Sequence, residues 1–299
     1  MTLRHMRIFI VVYQEMNITK ASNKLHMTQP AVTRAIKEIE THYDVQLFER
    51  LNHKLYRTKI SDELYSHALH IVNSFEVMEA AIKHSENYET FRVGASVTLG
   101  NFLLPKAVRK IKEMHPSYQP SVMISNGETL AQSLLDNKID LAFVEGNYSS
   151  EYLHSEIFLK DRLLLITPPD CKLLQKEQVY IEDLSAYPFL LREKGSAARN
   201  FLDYVLDQHG MSITPLWESF SSEAIINAVK EGLGISFLPE QLVKEKVKTG
   251  QIATRNITGE QLVRTNYILW HKNKQLTPSL LEFIRICQEL STINEEIFN

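Results

Sequence analysis

The chain has 299 residues, 44% of them hydrophobic and 23% charged, with a net charge of −3 and two cysteines. That is chain enough for more than one core, too many charges for a membrane-embedded body, and too few cysteines for a disulfide framework or a zinc site. Charge is unevenly spread: residues 1–60 hold ten Lys and Arg against five Asp and Glu, and the remaining 239 hold 23 against 31. Phosphate neutralisation dominates non-specific affinity for DNA, so contact with nucleic acid is expected at the basic N-terminal module and not over the acidic body. The apolar run 8–13 is too short to span a bilayer and no small-residue cleavage site follows it, so a cytoplasmic protein without a membrane partner is expected.

No glycine precedes Gly94, and Pro30 is the only proline before Pro105, so the first 90 residues are expected to be mostly helical. Ala21 and Leu25 are four apart on one short helix, with Thr19 as its expected N-cap. Thr28 caps the next, and Pro30 falls in its first turn, where a missing N–H costs little. Val32, Ala35, Ile36 and Ile39 form the apolar stripe of this second helix. Gln29, Thr33 and Lys37 are successively four apart on another side, with Arg34 beside them. Two helices in this order form a helix-turn-helix. Gln and Arg pair in two-pronged fashion with adenine and guanine edges, whereas Thr and Lys serve phosphate or the thymine methyl. The same four residues would also make an ordinary solvated helix face.

Ser61-Asp62-Glu63 is expected to open a longer helix, with a capping hydroxyl and carboxylates near its positive end. Leu64, Ala68, Ile71, Phe75, Met78 and Ile82 then alternate steps of four and three, a heptad seam of nearly three repeats suited to a homodimer. Packing against the chain's own domains is the alternative use of that stripe. Beyond it the pattern becomes α/β: strands at 91–95, 121–125, 140–144, 187–191, 234–238 and 265–270, helices at 102–114, 129–137, 197–209, 223–230 and 278–290. Such alternation implies parallel sheet, with ligands bound outside the carboxyl ends of the strands.

Several segments carry a resemblance to the LysR-type transcriptional regulators. They are Leu3-Arg4-His5-Met6-Arg7-Ile8-Phe9, Ala21-Ser22-Asn23-Lys24-Leu25, the run from Thr28 through Gln29-Pro30-Ala31-Val32-Thr33-Arg34-Ala35 to Ile36, and Leu47-Phe48-Glu49-Arg50. Thinner matches follow at Val93-Gly94-Ala95-Ser96, Asp140-Leu141-Ala142, 191–196 and 232–239. The resemblance implies a winged helix-turn-helix over 1–60, a dimerising linker helix over 61–90 and an effector domain over 91–299. That domain is expected to be two lobes like those of periplasmic binding proteins, lobe I over 91–162 and 267–299 and lobe II over 163–266. The chain would cross between them twice, near 163–167 and 263–269.

Expected DNA contacts are then Gln29, Pro30, Thr33, Arg34 and Lys37, with His53, Lys54 and Arg57 from the wing. Arg57 and Ser61 depart from the family's usual Leu and Gly, and the wing lacks glycine. Partners implied are a two-fold-related double-stranded DNA site, RNA polymerase, a small anionic effector, and other copies of the chain as homodimer or homotetramer.

For the effector, Ser96 and Thr98 follow the first strand, and Arg192, Ser196 and Arg199 stand in the second lobe, so hydroxyls and guanidinium groups would converge on an anion. Ser125, Asn126, Gly127, Glu145, Ser221 and Ser222 are further lining candidates, and each serine or asparagine would equally serve as a turn or cap residue. An α/β hydrolase-like enzyme is the first alternative. Gly94-Ala95-Ser96-Val97-Thr98 approaches a nucleophile elbow but ends in threonine, and no histidine is marked as its base. Gly232-Leu233-Gly234 is only a fragment of a dinucleotide fingerprint, so no cofactor is expected. An architectural DNA-binding protein without effector is the second, and it leaves the α/β body without a use.

Overall fold

The structure, a computed structural model, describes residues 1–51, 54–83, 89–146, 148 and 150–295, with 77, 80–83 and 292–295 described in backbone only. Helix α1 (Leu3–Glu15) is opened by Thr2, whose hydroxyl accepts from the His5 amide, and closed by Met16 at φ 47°. Helix α2 (Ile18–Lys24) is capped two residues before the expected Thr19: Asn17 is its cap, and its side-chain oxygen accepts from the Lys20 amide at 2.9 Å. The longer α3 (Gln29–Tyr43) starts after Thr28 as expected, with Pro30 in its first turn, and stops at Asp44 with φ 53°. Strands β1 (Phe48–Leu51) and β2 (Lys54–Arg57) pair antiparallel with Leu51 opposite Lys54, forming the wing. Glu40 of α3 holds its base by accepting from the Leu47 amide at 2.8 Å and the Phe48 amide at 3.3 Å.

Helix α4 (Lys59–Lys83) starts two residues earlier than its serine signal. Thr58 occupies the cap position, its hydroxyl accepting from the Ser61 amide at 3.3 Å, while Ser61 itself is buried. The first half of α4 closes the N-terminal core: Tyr65, Ala68 and Val72 are buried with Ile8, Phe9 and Val12 of α1 and Val32, Ile36 and Ile39 of α3.

The α/β region opens with β3 (Glu89–Ala95), then α5 (Val97–Phe102) and α6 (Leu104–Met114), so the single helix expected over 102–114 is preceded by a separate short one. Strand β4 (Tyr118–Ile124), helix α7 (Gly127–Leu135) and β5 (Leu141–Glu145) follow, and β3 lies between β4 and β5, parallel to both. The 15-residue β6 (Leu153–Thr167) then leaves this lobe. The second lobe holds two 3-10 turns (Lys172–Gln175 and Ile181–Ala186), then β7 (Leu190–Arg192), α8 (Ala197–Gln208), β8 (Trp217–Ser219), α9 (Ser222–Lys230), β9 (Ser236–Pro239), α10 (Glu240–Lys248) and β10 (Ala253–Arg255). The chain returns on β11 (Val263–His271) and ends in α11 (Pro278–Glu295).

The parallel expectation holds for β3, β4 and β5, and for the β7–β8 pair, but the sheet as a whole is mixed. Its order is β10-β6-β11-β5-β3-β4, with β9 also on β6, and every pairing made by β6 or β11 is antiparallel. The cause is topological: one strand carries the chain out of the first lobe and the other brings it back, so they run in opposite directions through one sheet. Residues 153–162 of β6 pair with β11, and 163–167 pair with β9 and β10. Each lobe has its own core, Phe91, Val93, Leu104, Phe143 and Phe283 in the first, Leu165, Leu173, Phe189, Leu202 and Phe237 in the second. Burying each such side chain stabilises its lobe by about 2 kcal/mol.

Candidate DNA-reading helix and interlobe cavity

Helix α3 buries Val32, Ala35, Ile36 and Ile39, leaving Gln29, Pro30, Arg34 and Lys37 exposed and Thr33 half-buried on one side. Arg34 Nε donates to Glu38 Oε1 at 2.8 Å, one helical turn on, and His5 Nε2 lies 3.1 Å from the other carboxylate oxygen. Hydrogen bonds from Arg34 first, and from His5, hold the Glu38 carboxyl below its usual range. The Arg34 side chain remains 82% exposed and is free to exchange Glu38 for another acceptor.

From the wing, Lys54 is exposed on β2, and His53 lies outside the described residues. Arg57 is exposed too, but its side chain is already engaged. Its guanidinium lies 4.1 Å from the Tyr13 ring centroid and Nη2 donates to the Tyr13 carbonyl at 3.2 Å, so its charge is directed onto α1. The Tyr13 hydroxyl in turn donates to Asp62 at 2.6 Å, and its ring stacks on Tyr65 at 3.9 Å. A residue that departs from the family pattern thus ties the wing to α1 and α4.

The heptad seam on α4 divides. Leu64 and Ala68 pack into the chain's own core because α1 needs a cover there, which removes them from the pairing surface expected of them. Ile71 and Met78 remain exposed at 47% each, with Phe75 half-buried between them, and the Ile82 side chain lies outside the described residues.

Between the lobes is a cavity of about 310 Å3. It is lined at the carboxyl ends of the strands: Ser96 and Thr98 after β3, Ser125, Asn126 and Gly127 after β4, Glu145 at the end of β5, Arg192 and Glu193 at β7, and Ser196 before α8. Two of these also cap helices, Asn126 accepting from the Thr129 amide at 2.8 Å and Ser196 from the Arg199 amide at 3.3 Å. The Ser96 hydroxyl is buried without a partner among the described residues.

Arg192 enters the cavity already neutralised. Its Nε and Nη2 donate to the two oxygens of Glu193 at 2.8 and 2.9 Å, and Nη1 donates to Ser222 at 3.1 Å. Three expected contacts are absent from the lining: Arg199, Ser221, and Ser222, whose hydroxyl instead accepts from Arg192. Arg199 points away, with Nε donating to Asp203 at 2.8 Å and Nη1 to the Arg192 carbonyl at 3.1 Å, because an acid four residues on along α8 claims it. Ser221 is spent as the cap of α9, accepting from the Ala224 amide at 3.2 Å.

Arg264 and Phe220 line the cavity without having been marked by the sequence. Arg264 sits on the buried face of β11, donating to Asp161 of β6 through Nε and Nη2 at 2.7 Å each and to Glu145 through Nη2 at 3.4 Å. Burial alone would lower its pKa, but Glu145 and Asp161 more than offset it and keep the guanidinium charged. The detectable signal was alternation: Arg264, Asn266 and Ile268 share the inward face of a strand, and a charge on such a face needs a partner or a ligand.

Residues 3–60 match the family model described as the bacterial regulatory helix-turn-helix protein, lysR family, and residues 84–291 match the LysR substrate binding domain. The HTH-type transcriptional regulator YeiE of Escherichia coli K12 is 31% identical over 286 residues, covering 96% of this chain and 97% of YeiE. CysL of Bacillus subtilis is 28% identical over 295 residues, covering 98% of this chain and 94% of CysL. Among solved structures, full-length OxyR from Pseudomonas aeruginosa superposes with a TM-score of 0.66 at 20% identity, covering 96% of this chain and 98% of that one.

Proposed function

The chain belongs to the LysR family of bacterial helix-turn-helix regulators, and from that premise we propose how its parts divide the work. Residues 1–60 read DNA, with Gln29, Pro30, Thr33, Arg34 and Lys37 of α3 in the major groove and Lys54 of the wing on phosphate. Residues 61–90 pair two chains through Ile71, Phe75 and Met78, so that two α3 helices meet a two-fold-related site. Residues 91–299 hold a small-molecule effector between lobe I and lobe II. The observation that carries this reading is the exposed polar strip of α3, unobstructed on a helix whose other side is fully used by the core.

Occupancy of the cavity changes the assembly only if the effector binds one arrangement of the chains better than the other. The two crossing strands supply that possibility, because they are the covalent link between the lobes and Arg264 of one is bonded to Asp161 of the other.

Gel-shift titrations over a salt series test the DNA half. Arg34→Ala is expected to lose about 1–3 kcal/mol of specific binding with little change in non-specific binding, whereas Lys37→Ala weakens both and lowers the salt slope by about one. Unchanged specific affinity in Arg34→Ala removes that residue from the base-reading set.

A further inference from the structure

Arg264 has one guanidinium nitrogen left over. Nε and Nη2 are occupied by Asp161 and Glu145, while Nη1 is buried without a partner among the described residues, on a side chain only 4% exposed that lines the interlobe cavity. The Ser96 hydroxyl, on a residue 3% exposed, lines the same cavity and is likewise unpartnered. An unmade hydrogen bond from a buried guanidinium costs more than a neutral one, so two orphaned donors in one cavity mark where acceptor oxygens belong.

The acids around them restrict which acceptor fits. Glu145 lines the cavity, and its only side-chain hydrogen bond among the described residues is the long one from Arg264. Glu193 lines it too, with both oxygens on Arg192. Arg264 shares its charge with two carboxylates, so the local balance is already negative, and a fully ionised anion beside Glu145 would meet like-charge repulsion. An oxyanion that still carries a hydrogen converts that repulsion into a charge-assisted hydrogen bond to the carboxylate.

We propose that the cavity takes a small oxyanion bearing a proton or hydroxyl, its acceptor oxygens held by Arg264 Nη1 and Ser96 Oγ and its hydrogen donated to Glu145. This rests on the reading of the cavity as the effector site and adds its chemical class. Because Arg264 also binds Asp161 across the two crossing strands, the ligand contacts the segment that joins the lobes.

Inorganic phosphate and sulfate are the probes, since at neutral pH phosphate keeps a proton and sulfate keeps none. Calorimetry and thermal melts on the full chain, at matched ionic strength against chloride, should show saturable phosphate binding at least about tenfold tighter than sulfate. Arg264→Lys, which keeps the charge opposite Asp161 but loses the fork, should weaken both probes, and Ser96→Ala should do so to a smaller degree. Glu145→Gln, which can donate as well as accept, should bring the two affinities together. Arg264→Gln leaves two buried carboxylates unpaired and is a folding risk, so Arg264→Lys and Glu145→Gln carry the test. Equal affinity for phosphate and sulfate in the native chain, weakened by Ser96→Ala, overturns the proton requirement and leaves the cavity as the ligand site. No saturable binding of either probe, or binding indifferent to all three substitutions, overturns both.

Discussion

Acidification should loosen the junction between α4 and the first lobe, and two buried histidines set the pH window. His271, at the end of β11, accepts from the Asn273 amide through Nδ1 at 3.1 Å and lies 3.0 Å from the Ser66 hydroxyl through Nε2. A proton on Nδ1 destroys the first of these. His70 of α4 packs on it with ring centroids 3.9 Å apart, and His70 Nε2 is buried without a partner among the described residues. Burial first, then the neighbouring charges of His271, Lys274 and His67, lowers His70 to about 4, with Asp140 acting weakly the other way. Burial first, then His67 and Lys274, lowers His271 to about 4 as well.

Both imidazoles are therefore neutral when folded and take up protons on unfolding at any pH between about 4 and 6.5. Stability is fully present above pH 6.5 and falls as the pH drops toward 4. A shift of this size corresponds to about 3 kcal/mol per group, which bounds the pair at about 6 kcal/mol. The assay is a thermal melt of the native chain and of His70→Met at pH 7, 6 and 5, comparing midpoints and not extrapolated free energies, since a chain of several domains need not melt in one step. The native midpoint should fall more steeply with acid than that of His70→Met. Parallel pH profiles would refute the assignment of the sensitivity to this pair.

Ile71→Glu places a charge on the exposed half of the α4 seam and should separate the dimer, read by analytical ultracentrifugation; an intact, folded dimer moves the pairing surface elsewhere. Gly234→Ala brings a Cβ to 2.3 Å from the Pro188 carbonyl oxygen, which is backbone and cannot swing aside, so a loss of about 2 kcal/mol is expected in the denaturation midpoint, and a neutral result would mean the 187–191 segment shifts freely.

How much was legible followed the range of the interactions. Helix α3 was readable because its cap, its Pro30 and its apolar stripe all lie within 12 residues of sequence and state one geometry. The start of α2 was misplaced because Asn17 and Thr19 are both competent caps and only the backbone decides between them. The strand ends pointed correctly to Ser96, Thr98, Ser125, Asn126 and Arg192 as cavity residues. Arg199 does not reach the cavity because Asp203, four residues on along the same helix, claims its guanidinium, an i to i+4 pairing that the sequence alone displays. Arg264 was missed for the opposite reason: its partner Asp161 is 103 residues away and meets it only once the two crossing strands are paired. Asp140, part of the family-like run, binds Arg92 at 2.7 Å and Lys274 at 2.6 Å within the first lobe, so that similarity marks structure and not the ligand site.

Selection of DNA by the full chain from a random-sequence pool tests the central claim most directly, because it presumes no target gene and no effector. The account predicts enrichment of a two-fold-related sequence whose half-sites are separated by about one helical turn or a multiple of it, with that enrichment lost in Ile71→Glu and its base preference relaxed in Arg34→Ala. Enrichment of the same sequence, at the same affinity, by both variants would contradict α3 as the reader and α4 as the pairing helix.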